Sequence, residues 1–223
     1  MADQNKGMSD LWRRLRFVFL AIVVYRMGTH IPIPGIDPAR LAALFDQNQG
    51  TILEMFNLFS GGALERMSIF ALNVVPYISA AIIMQLFSNS IPYLQELKKD
   101  GQAGRNQITQ YTRYGTVVLA FVQASALSVT LGASGLAYEP GTSFFISAVF
   151  SVVAGTVFLM WLGEQITERG IGNGISIIIA TSILTGIPGA IGQALEQARQ
   201  GDLNILLLLG IGVLAMVVIA IVV

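Results

Sequence analysis

The chain has 223 residues, 54% hydrophobic and 12% charged, with a mean hydropathy of +0.67. An ordinary soluble domain carries roughly 25% charged residues; the charge left here cannot coat a water-facing surface, which excludes a soluble enzyme, a disordered tail and a cytosolic binding module. Lys and Arg (13) balance Asp and Glu (13), so the basic surface that nucleic-acid recognition needs is missing. With no cysteine there is no disulfide, no thiolate chemistry and no Cys-ligated metal.

The solvent implied is lipid, and the reading is an all-α integral membrane protein, a polytopic helical bundle. About 20 apolar residues cross the hydrocarbon core. After a polar segment at 1–16, a first span covers 17–36. Its basic lead (Arg13, Arg14, Arg16) mimics a secretory signal, but Arg26 and His30 interrupt it, Pro32 and Pro34 follow, and no small-residue cleavage site closes it. An uncleaved signal-anchor helix fits better. Arg26 is expected to snorkel or to bond to backbone, with His30 near the outer interface. Asp37 and Pro38 suit the cap and first turn of a short helix.

Segment 54–68 is amphipathic, broken at Gly61–Gly62, and runs directly into a second span at 69–91. It is too short to cross a bilayer, which leaves a mobile half-helix in a vestibule or an interfacial helix on the outer leaflet. Pro76 is expected to bend the second span, where Val74 and Ile78 share a face and Asn73, Ser79 and Gln85 need a partner helix or cavity. A polar loop at 92–113 leads to a third span at 114–132, which carries Gln123, and a fourth at 144–162. The glycine-rich loop at 163–174 reads as a hairpin, since no strand precedes it and its spacing is not a dinucleotide fingerprint. Spans at 175–191 and 203–223 complete the chain, and Glu96, Asp100, Glu164 and Glu168 all fall in loops.

Orientation follows from the cations. Lys6, Arg13, Arg14, Arg16, Lys98, Lys99, Arg105, Arg113 and Arg169 fall on one face, against Arg40, Arg66 and Arg199 on the other. The first face, with the N-terminus and the loops 92–113 and 163–174, is cytoplasmic by the positive-inside rule. No basic loop follows the last span, so the chain reads as cut there, a fragment or one piece of a split chain. Phosphate-loop, zinc-protease and nucleophile-elbow motifs are absent, which implies no enzyme and no cofactor.

The stretches Ile31-Pro-Ile-Pro-Gly-Ile-Asp37, Phe59-Ser-Gly-Gly-Ala63, Pro76-Tyr-Ile-Ser79, Gln110-Tyr-Thr-Arg-Tyr-Gly115 and the run from Met160 to Ile179 closely resemble the SecY family, the channel subunit of the general protein translocase. The resemblance implies the first half of an inverted-repeat channel plus its sixth span, with 54–68 as a plug (Phe59, Ser60, Gly61, Gly62, Ala63). It implies an apolar pore ring at Val74, Ile78 and Ile179 and a lateral gate at Ser79 and Gln123. The implied function is a passive protein-conducting channel for secretion and lateral membrane insertion, in the bacterial cytoplasmic (inner) membrane. Implied partners are SecE- and SecG-type small subunits, the SecA motor or a ribosome, signal peptides, nascent chains and the lipid bilayer, with a YidC-type insertase as a further one. Two alternatives stay open. In one the chain is the substrate of another insertase or chaperone. The other is a secondary transporter, which should carry acidic groups inside its spans.

Overall fold

Helices satisfy their own backbone polar groups where water is absent, and the structure, a computed structural model describing residues 2–47, 57, 60–139, 141–200 and 205–222, is built from them. Among the described residues the helices are α1 (Ala2–Gly28), α2 (Pro38–Gln47), α3 (Val75–Ser90), α4 (Pro92–Lys99), α5 (Gly101–Ala133), α6 (Thr142–Arg169), α7 (Gly174–Gln200) and α8 (Ile205–Val222). Two isolated antiparallel bridges, Pro32 with Ser68 and Ile36 with Ala137, complete the regular structure described. The chain divides into a unit Met1–Ile183 and a unit Leu184–Val223.

In the first unit α5 packs along α6, α3 lies against α5, and α1 rests on α6. The contact face of α5 is a stripe of small side chains: Thr112, Thr116, Ala120, Ala124 and Ser128 recur every fourth residue and are buried. Small residues at this spacing let helix backbones approach closely, which is how helices associate when lipid removes any hydrophobic drive between them. At the α3 crossing a Cβ on Gly115 would stand 3.6 Å from the Cβ of Ala80.

Helix α1 starts well before residue 17 and ends at Gly28, because Pro32 and Pro34 have no amide hydrogen to continue it. The chain then runs extended between two neighbours. Ile33 N–H donates to the Met67 carbonyl (2.8 Å) and Ile69 N–H to that of Ile31 (3.0 Å), while Asp37 N–H reaches Leu136 (2.9 Å) and Tyr138 N–H reaches Gly35 (3.0 Å). Asp37 caps α2, its Oδ1 accepting from Ala39 N–H at 2.9 Å.

Among the described residues α5 and α6 are long and apolar enough to cross a membrane. Helix α3 has 16 residues, about 24 Å of rise against a hydrocarbon core of about 30 Å. The remainder of the region 69–91 is irregular backbone at 69–74, where Phe70, Ala71, Asn73 and Val74 are buried, as irregular backbone away from water must be. The second unit holds the C-terminal part of α7, with Pro188 inside the helix, and α8, whose 18 residues carry no charge.

Candidate functional site

The segment ahead of α3 decides the site. Gly61 (φ 66°), Gly62 (φ 80°), Met67 (φ 41°) and Asn73 (φ 49°) all take left-handed backbone, so no continuous helix can run from residue 60 into α3. Pro76 was expected to bend a helix already under way. Instead it lies in the first turn of α3, where its missing N–H leaves no bond unmade.

Val74 ends this segment and is 2% exposed. It belongs to an apolar cluster with Ala63, Phe70, Leu159 and Ile178, and Ile78 and Ile179 pack against that same cluster. Three side chains separated by up to 105 positions in sequence (Val74, Ile78 and Ile179) thus meet one apolar centre, together with Ala63 of the glycine-broken segment. Ser60 and Gly61 are buried beside them and Gly62 is half-buried. Phe59, and most of 54–59 with it, lies outside the described residues.

Polar groups hold the broken segment against α1 and α7. Arg26 Nη1 donates to the Gly61 carbonyl at 2.9 Å, so this cation within the first apolar stretch is satisfied by backbone. Tyr25 Oη lies 2.6 Å from Ser182 Oγ and 3.4 Å from the Ser60 carbonyl, and Asn73 Nδ2 donates to Ser182 Oγ at 3.2 Å. At the rim Arg66 Nη1 lies 2.6 Å from His30 Nε2. Sequence reasoning singled out Asn73 and Arg26 but missed Tyr25 and Ser182. An interior Tyr and an interior Ser are unremarkable singly, and 157 positions separate them.

Ser79 on α3 and Gln123 on α5 are both half-buried on packed helices. No hydrogen bond joins them among the described residues. Glu164, read from the sequence as a loop residue, lies inside α6 and pairs with Arg113 of α5. At the other end of the 163–174 connection Asn173 Oδ1 accepts from Ile175 N–H at 3.0 Å and caps α7. Among the described residues no group of His, Cys, Asp or Glu could hold a metal ion.

Three branched apolar side chains meeting beside a glycine-broken segment call for comparison with known proteins. The SecY family model matches residues 68–223. The chain belongs to the SecY family. Among curated relatives, the protein translocase subunit SecY of Pseudomonas aeruginosa is 64% identical over 222 residues, which is 100% of this chain and 50% of that protein. The Escherichia coli SecY is 58% identical over 216 residues, 95% of this chain and 49% of that one. The chain therefore spans about half the length of the SecY relatives it matches. Two solved structures share its fold at a TM-score of 0.60 and 20% identity, each over 87% of this chain and 43% of theirs. One is Sec61 in a canine ribosome–channel complex from the endoplasmic reticulum, the other a protein-conducting channel. Val74, Ile78, Ser79, Gln123 and Ile179 lie within the stretch that the SecY model matches, and Ser60 to Ala63 lie upstream of it.

Proposed function

We propose that this chain is the N-terminal part of the pore-forming subunit of a Sec translocon, a passive channel that passes unfolded polypeptides across a bacterial cytoplasmic membrane and releases hydrophobic segments sideways into lipid. The observation that carries this reading is the meeting of Val74, Ile78 and Ile179 at one apolar cluster, covered by Ala63 of a segment that is not helical. A ring of branched apolar side chains excludes ions by dewetting and yields around a passing chain. Residues 60–63 act as the plug, hinged at Gly61 and Gly62, and Ser79 and Gln123 lie on the lateral-gate side of α3 and α5. The N-terminus and the cations of α4 face the cytoplasm, where a SecA-type motor or a ribosome supplies the drive. SecE- and SecG-type subunits complete the assembly, and no bond is made or broken by the channel itself.

The test uses the full-length subunit in planar bilayers. Replacing Val74 and Ile78 together by Gly should raise resting ion conductance at least ten-fold, and conductance equal to that of the unaltered channel would refute the constriction.

A further inference from the structure

We infer that Tyr25, Asn73 and Ser182 form a buried polar latch that holds the plug-bearing segment to α7 and must open before the constriction does; this rests on the channel reading above. The three come from separate parts of the chain: Tyr25 from α1, Asn73 from the irregular turn before α3, and Ser182 from α7. They meet inside the apolar cluster that contains Val74 and Ile178, with Tyr25 at 1%, Asn73 at 5% and Ser182 at 0% exposure.

The proton arrangement follows from the acceptors. Ser182 Oγ donates its one hydrogen back to the Ile178 carbonyl at 2.9 Å, which leaves its two lone pairs to accept. Tyr25 O–H fills one at 2.6 Å and Asn73 Nδ2 the other at 3.2 Å. One hydroxyl on α7 thereby ties down both the helix beneath the plug and the turn that presents Val74. Tyr25 O–H has a second acceptor near it, the Ser60 carbonyl at 3.4 Å. Movement of α7 away from α1 and the turn has to break the Tyr25 and Asn73 contacts to Ser182 Oγ together. The latch therefore couples separation of α7 from α1 to its separation from the turn at Asn73, which carries the segment from residue 60 into α3.

Asn73 carries the strongest mark of selection for a bond rather than for shape. Its φ of 49° is left-handed backbone, which glycine adopts at least cost, yet the position holds a buried amide. In an apolar centre such a group is tolerated only with partners. Asn is also among the non-glycine residues best able to hold that backbone, so one residue supplies both the turn and the donor.

The experiment measures resting conductance of the full-length subunit in planar bilayers and amide exchange at Gly62, Ala63 and Leu64. Tyr25→Phe and Ser182→Ala should each raise conductance about five-fold, the weight of one net hydrogen bond. The double variant should rise no further than the larger single one, because both remove the same contact. Asn73→Gly relaxes the backbone but deletes the donor, and should also leak. Exchange at residues 62–64 should quicken in all three while the amides of α5 and α6 keep their rates, which general loss of stability would not allow. Multiplying effects in the double variant, or unchanged conductance and exchange in a channel that still leaks as Val74→Gly, would overturn the latch and leave the channel standing. A Val74→Gly channel that stays tight would overturn the channel reading, and the latch with it.

Discussion

Arg113 and Glu164 join α5 to α6 through two parallel hydrogen bonds, Nε to Oε1 at 2.7 Å and Nη2 to Oε2 at 2.8 Å. The side chains are 35% and 17% exposed, so solvent screens the pair only partly. A planar guanidinium facing a carboxylate edge-on fixes relative orientation as well as separation. The two helices are also in contact along their apolar lengths, and the pair sets how far one slides on the other.

Breaking that pair should be felt. Arg113→Gln leaves a largely buried carboxylate with one weaker donor, and should destabilise the α5–α6 pair by about 1–3 kcal/mol. Thermal unfolding in detergent should show a lower midpoint. Arg113→Lys should recover only part of the loss, since an ammonium cannot offer the two-point fork. A Lys variant as stable as the parent would mean that charge alone matters here.

Close approach sets a second expectation. A Cβ on Gly155 of α6 would stand 2.0 Å from the Ile69 carbonyl oxygen, a backbone atom that cannot rotate away. Gly155→Ala should force the turn before α3 off α6 and destabilise by about 1–3 kcal/mol. Gly132→Ala meets nothing within 4 Å and should be neutral or slightly stabilising. Equal midpoints for the two variants would contradict the packing described.

A pH effect is expected at the N-terminal end of α1. The Arg14 hydrogen bond, followed by the charges of Arg13 and Arg14, holds the Asp10 carboxyl below its ordinary value of 3.8. A depressed carboxyl contributes stability above that ordinary value and loses it as pH falls through the lower, folded one. Acidification below about 3.8 should therefore fray the first turns of α1 and leave the apolar part intact. The effect should be small, since the carboxyl is partly exposed at the surface and screened there. Amide exchange near Asp10, compared with an Asp10→Asn variant that should lack the transition, checks it.

How much of this could be read beforehand differs residue by residue. Gly61–Gly62 points to a broken helix on its own, because each glycine costs about 1 kcal/mol in a helix interior. Asp37 before Pro38 announces a cap by the same local logic. Pro76, expected to bend the span, opens α3 instead, since proline both kinks a helix and starts one, and the choice depends on Asn73 and Val74 having non-helical backbone. Glu164 was misread as a loop residue. An acidic side chain near the end of an apolar stretch looks like a boundary until a cation 51 positions away is found beside it.

Composition and local spacing by themselves determined that this protein is helical, lives in lipid and breaks its backbone near Gly61. Those outcomes depend on transfer free energy and on the conformations open to each residue. Only the tertiary structure decided that Tyr25 meets Ser182, that Val74 and Ile179 share one apolar centre, and that Arg113 is matched by Glu164. Such pairings arise from helix crossings set by small-residue stripes, and no signal in either partner alone says where the other stands.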